Sequence, residues 1–149
     1  MFGKRIKTAA AEVGIKFAET GVTANTIEAN RLIRFAGTKG PGLQHKLVSL
    51  LFEGYFMRGE NVGERQVLLR IAIEAGLDGG QVASYLDSEE DKKYVVAETA
   101  AARRKGVTGV PHYVFNQGYE LTGGQSVQAF EHLLRTLAKK ASSPPQSNL

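Results

Sequence analysis

Apolar positions recur at helical spacing over about the first hundred residues and then give way to strand-like alternation. Residues 3 to 13 form the first predicted helix, with Phe2, Ile6, Ala9, Ala10, Val13 and Phe17 on one face and Gly14 as its stop. Ile15 to Phe17 reads as a short apolar connector. Asn25-Thr26-Ile27-Glu28 has the pattern of a capping box, in which Asn25 accepts from the Glu28 amide and the Glu28 carboxylate reaches back. The helix that follows carries Ile27, Leu32, Ile33 and Phe35 and is expected to stop at Gly37.

Gly40-Pro41-Gly42 punctuates the chain. Beyond it, Leu43, Leu47, Leu50, Leu51 and Tyr55 trace a helical stripe, which Val48, Phe52 and Phe56 widen, so this helix should be buried on much of its surface. Val67, Leu68, Ile71 and Ala75 mark a helix closed by Gly76, and Asp78 can cap a short one through Val82, Tyr85 and Leu86. A longer helix over residues 91 to 105 carries Tyr94, Val95, Ala97 and Ala102 and ends before Gly106. The period then changes. His112 to Asn116 is β-prone, Gln117-Gly118 is turn-prone and Tyr119 to Thr122 alternates, which predicts a hairpin. Ser126 can cap a last helix with Val127, Phe130, Leu133, Leu134 and Leu137, and Ser142 to Leu149 reads as a disordered tail.

Composition narrows the chemistry. The 149 residues carry a net charge of +4, yet the only cationic triplet is Arg103-Arg104-Lys105, and Glu89-Glu90-Asp91 is acidic. Nucleic-acid binders gather basic residues on one face, often beside aromatic rings, so these charges read as solvated helix faces and exclude a nucleic-acid partner. There is no cysteine, hence no disulfide and no thiolate metal site. His45, His112 and His132 lack ligand spacing, so no metal is expected. No apolar run approaches the ~20 residues of a membrane span, and the start lacks the apolar core of a secretory signal, so the expected location is cytoplasmic.

Several short segments occur in an order that resembles the DsbA family of thioredoxin-fold oxidoreductases, and most its FrnE-like branch. They are Asn25-Thr26 with Ala29 to Ile33, Leu51 to Phe56, Gly106-Val107-Thr108-Gly109-Val110-Pro111, and Leu121 to Gln125. The family is also related to 2-hydroxychromene-2-carboxylate isomerases and kappa-class glutathione transferases. The resemblance implies a truncated α/β thioredoxin-like fold. Residues 1–105 would be the helical insertion domain and residues 106–141 the C-terminal part of the thioredoxin fold: turn, hairpin and helix. Residues 142–149 would form the tail.

In that family a Cys-x-x-Cys pair sits at the start of a helix, where the helix dipole and backbone amides favour the thiolate. The unit that would hold it has no counterpart here, so the resemblance implies a protein of the disulfide oxidoreductase and isomerase lineage that is inactive in dithiol exchange as it stands. It further implies that Val110 presents its backbone to a peptide or to glutathione, with Pro111 cis. The ordinary alternative is a trans proline opening an edge strand. Asn25 and Arg31 match positions near the ligand cleft of relatives, set against ordinary roles as a helix cap and a solvated or salt-bridged arginine. His112 reads as an edge-strand histidine with no partner acid nearby. No cofactor is expected beyond glutathione as a ligand.

A hairpin without its usual sheet neighbours leaves an edge, with Val114 and Phe115, that invites pairing with another chain. The helices repack over it, two copies complete one another, or the chain is a fragment that does not fold alone, and the sequence does not choose among these. Two functional classes remain: an oxidoreductase whose thiols lie outside this sequence, and a non-catalytic binding or interaction module that keeps the binding turn.

Overall fold

The computed structural model describes residues 3–19, 21–115 and 118–141, with only the backbone of Arg5 and Ala141. The expectations for Phe2, Asn116, Gln117 and the 142–149 tail lie outside them. The described chain has seven α-helices and one hairpin: α1 (Lys4–Glu12), α2 (Ile27–Lys39), α3 (Pro41–Phe52), α4 (Arg65–Ala75), α5 (Gly79–Asp87), α6 (Lys92–Arg104), β1 (His112–Phe115), β2 (Tyr119–Thr122) and α7 (Val127–Ala141). It divides into two compact units, Met1–Ala100 and Ala101–Leu149.

In the first unit α2 packs on α3, α4 and α5, and α3 packs on α4. The shared core contains Leu32, Leu47, Leu68, Ile71 and Val82, all fully buried, with Ala29, Ala36 and Ala72 where helices approach closely. Each large aliphatic side chain so buried contributes about 1.5–3 kcal/mol. The five large residues lie on the stripes that the periodicity marks, so α2 to α5 assemble by their predicted faces; the three alanines are core positions that the stripes do not include.

Three local expectations are corrected. Helix α2 does not stop at Gly37 but continues to Lys39. Gly37 serves instead as a point of close approach: a Cβ there would lie 2.7 Å from Gln44 Nε2, which donates to the Ile33 carbonyl at 3.1 Å. The stop is made by Gly40, with Pro41 at the first turn of α3, where its missing N–H costs nothing. The capping box does not form. Thr26 is the cap residue, Asn25 Oδ1 accepts from the Ile27 amide at 3.1 Å, and the Glu28 carboxylate pairs with Arg31. The widened stripe of α3 is also only partly buried. Phe52 is 60% exposed, and the chain passes after it into a π-helical turn, Glu53–Met57.

The Gly76 and Asp78 signals act as written, whereas Ile6 of α1, Val13 at its end, and Val127 and Leu134 of α7 stay exposed. Gly76 closes α4 in the left-handed region at φ 105°, and Asp78 caps α5 by accepting from the Gln81 amide at 2.8 Å. In the second unit β1 and β2 pair antiparallel, with His112 opposite Thr122 and Phe115 opposite Tyr119. Ser126 Oγ accepts from the Ala129 amide at 3.2 Å at the start of α7. Phe130 of α7 packs edge-on against Tyr113, with centroids 5.1 Å apart, and also meets Phe115. No helix among the described residues is long and apolar enough to cross a membrane.

Candidate functional site

The glycine-rich turn before β1 exposes its backbone. Val110 is 87% exposed, and neither its N–H nor its carbonyl has a partner among the described residues. The Val110–Pro111 peptide bond is cis. Pro111 is fixed on its other side, where its carbonyl accepts from the Gly123 amide at 2.7 Å. The turn therefore offers one free amide and one free carbonyl on a segment held by the hairpin behind it. Such a segment can add to an extended peptide backbone.

Behind the turn the hairpin register supplies an arrangement that the linear sequence hides. His112 and Thr122 are direct cross-strand partners, and His112 Nδ1 lies 2.9 Å from Thr122 Oγ1. Glu120 is on the diagonal, with Oε2 3.8 Å from His112 Nε2. The expectation of a histidine with no partner acid is thus corrected: the acid lies eight positions further on and arrives only through strand pairing. The imidazole is mostly covered, at 12% exposure. Val114 is 58% exposed, whereas Phe115 is half-buried and packs against Phe130, so only the first of these two edge residues is open.

Asn25 lies in the first unit. It is exposed, and its Oδ1 is taken by the Ile27 amide. Its backbone is crowded by Gly63, where a Cβ would meet the Asn25 carbonyl oxygen at 2.8 Å. Arg31 is only 1% exposed, so it is no solvated face; of its two ordinary readings, the ion pair is the one seen. Its guanidinium pairs with Glu28 and donates to the carbonyls of Tyr85 at 3.1 Å, Ser88 at 2.8 Å and Glu90 at 2.7 Å. These carbonyls cluster at and after the C-terminal end of α5, the negative end of its dipole. Arg31 is therefore a clamp between α2 and the segment that leads into α6.

A family model of the DSBA-like thioredoxin domain matches residues 1–135. The chain belongs to this family. Two solved structures resemble this DSBA-like chain. One, assigned to a DsbA oxidoreductase of Streptomyces coelicolor, superposes with a TM-score of 0.81 at 24% identity; it covers 97% of this chain and 62% of its own. The other, assigned to a protein disulfide isomerase of Nitrosomonas europaea, has a TM-score of 0.74 at 18% identity and covers 89% and 70%. At these identities the likeness is one of fold, a DsbA-like thioredoxin fold that is mostly helical here. This chain thus spans less than two thirds of the Streptomyces protein. No curated protein matches it.

The DSBA-like chain has no cysteine anywhere in its sequence, so it contains no thiolate nucleophile of its own.

Proposed function

We propose that this chain is a non-dithiol member of the DSBA-like family, a scaffold of the disulfide oxidoreductase and isomerase lineage related to the FrnE-like branch. It would bind a peptide or glutathione through Val110 and Pro111 in the cytoplasm. The observation that carries this reading is the combination of a cysteine-free sequence with an open backbone at Val110, 87% exposed. Disulfide exchange needs a thiolate to attack sulfur, and no other side chain substitutes for it. Strand-like capture of a ligand needs only a free amide and carbonyl.

The reading has two tests. The purified chain should not accelerate insulin reduction by dithiothreitol beyond a protein-free control; turnover above that control would sink it. Calorimetry with glutathione and with an unstructured peptide should give heat that Val110→Pro removes, because the substitution deletes the amide donor. Absence of heat at millimolar ligand removes the binding half.

A second reading is favoured by the length comparison. The Streptomyces relative is longer, and this chain covers 62% of it. An oxidoreductase whose thiols reside on a segment outside this sequence would use the present residues as its helical and C-terminal portions. The intact mass of the endogenous polypeptide distinguishes the two. For the hairpin, we propose that the exposed edge at Val114 pairs with a second copy of the chain. Sedimentation should then show a dimer that Val114→Lys dissociates.

A further inference from the structure

Within the first unit an open groove of about 590 Å³ runs between α2 and α6. Ile33 and Val95 supply its apolar lining, and Asn30, Arg34, Gln44 and Glu98 bring polar groups to it. One tyrosine holds the two charged residues. The Arg34 guanidinium lies over the Tyr94 ring, 3.7 Å from its centroid, while the Tyr94 hydroxyl donates to Glu98 Oε1 at 2.9 Å. Arg34 is further fixed by Asp91, whose Oδ1 accepts from Nε at 2.8 Å. That contact is the main reason the Asp91 carboxyl is held below the ordinary carboxylate range.

These contacts leave specific atoms unused. Arg34 meets Asp91 most closely through Nε, and its two terminal nitrogens donate no hydrogen bond among the described residues. Glu98 uses Oε1, and its second oxygen is likewise unpaired among them. Arg34 and Glu98 make no ion pair with one another, although both border the same groove. Gln44 spends its amide N–H on the Ile33 carbonyl, and Asn30 spends its own on Thr26, so Gln44 Oε1 remains as an acceptor. The groove thus holds a pinned cationic donor and a pinned anionic acceptor, both already oriented. Prepositioned charges of this kind lose little freedom on binding.

We infer that this groove binds a small zwitterion, a free amino acid or short unblocked peptide, with its carboxylate on the Arg34 terminal nitrogens and its ammonium on Glu98. A purely anionic ligand would face Asp91 and Glu98 against the single cation Arg34. A purely cationic ligand would leave the Arg34 fork unmatched. Only a ligand carrying both charges satisfies both sets of unused atoms. The site lies wholly in the first unit and does not rest on the Val110 turn.

The test is an NMR titration of the full chain with alanylalanine, following the backbone amides of Arg34, Tyr94 and Glu98. Saturable shifts at millimolar ligand are expected. The N-acetylated and the C-amidated dipeptides should each bind about tenfold more weakly or worse, as loss of one charge-assisted contact dictates. Arg34→Met should abolish the response, and the near-isosteric Glu98→Gln should remove the preference for the free amine while leaving the spectrum otherwise dispersed. No shift at these amides, or equal binding of the doubly blocked dipeptide, overturns the inference.

Discussion

Arg31 Nε donates to the Glu90 carbonyl at 2.7 Å, joining residues 59 positions apart through a side chain that is 1% exposed. The same guanidinium takes the Ser88 and Tyr85 carbonyls and the Glu28 carboxylate, so one cation satisfies the chain end of α5 and its exit. Arg31→Met should destabilise the fold by about 1–3 kcal/mol or more, because it leaves the Tyr85, Ser88 and Glu90 carbonyls without their donor. Arg31→Lys should recover little, because an ammonium cannot reproduce the fork. Urea unfolding followed by circular dichroism checks both; a loss under about 1 kcal/mol for Arg31→Met contradicts the clamp.

Tyr85 gives a pH dependence. Its hydroxyl donates to Asp91 Oδ2 at 3.0 Å or to the Arg31 carbonyl at 3.1 Å. Burial first, and the Asp91 hydrogen bond next, push its pKa up to about 12. Folding favours the neutral phenol, so this contribution is complete below the ordinary value of 10.0 and is lost as pH rises through about 12. Between those limits the urea midpoint of the native protein should fall more steeply than that of Tyr85→Phe. Parallel slopes would refute it.

Gly63 is the contact point for the Asn25 segment. A methyl there would stand 2.8 Å from the Asn25 carbonyl oxygen and 3.3 Å from its nitrogen, both main-chain atoms that cannot swing aside. Gly63→Ala should therefore cost about 1–3 kcal/mol by overpacking. It should also shift the amide resonances of residues 25–27 more than those of α5. An unchanged melting temperature counts against this contact.

Phe130 is the aromatic tie of the hairpin to α7, beside Lys140, which donates to the Tyr119 hydroxyl. Phe130 meets both Tyr113 and Phe115, and an isolated two-stranded hairpin is marginal in water. Phe130→Ala should accelerate amide exchange across His112–Phe115 while leaving the α2–α4 core amides protected. Uniform loss of protection in both units would show that the effect is not local.

Much of the fold is legible in the sequence because it rests on short-range rules. The stripes of α2 to α5, the Asp78 cap, the Gly76 stop and the His112–Thr122 hairpin each arise from residues a few positions apart. So does the family resemblance, carried by short segments in order. The misreadings share a different cause. Gly37 resembles a helix stop until Gln44 from the next helix is seen to need its missing Cβ. Glu28 resembles half of a capping box until Arg31, three positions on, is buried against the exit of α5 and claims it.

The sequence alone determined that these 149 residues carry no thiol, that the first hundred or so are helical and that a hairpin and helix follow. These are consequences of residue identity and periodicity. Tertiary structure alone decided that Arg31 is a buried clamp, that Glu120 meets His112, and that Arg34 and Glu98 share Tyr94 without pairing. Those relationships join side chains from different elements, and their charges acquire meaning only once packing has removed some of their atoms from water and left others facing it.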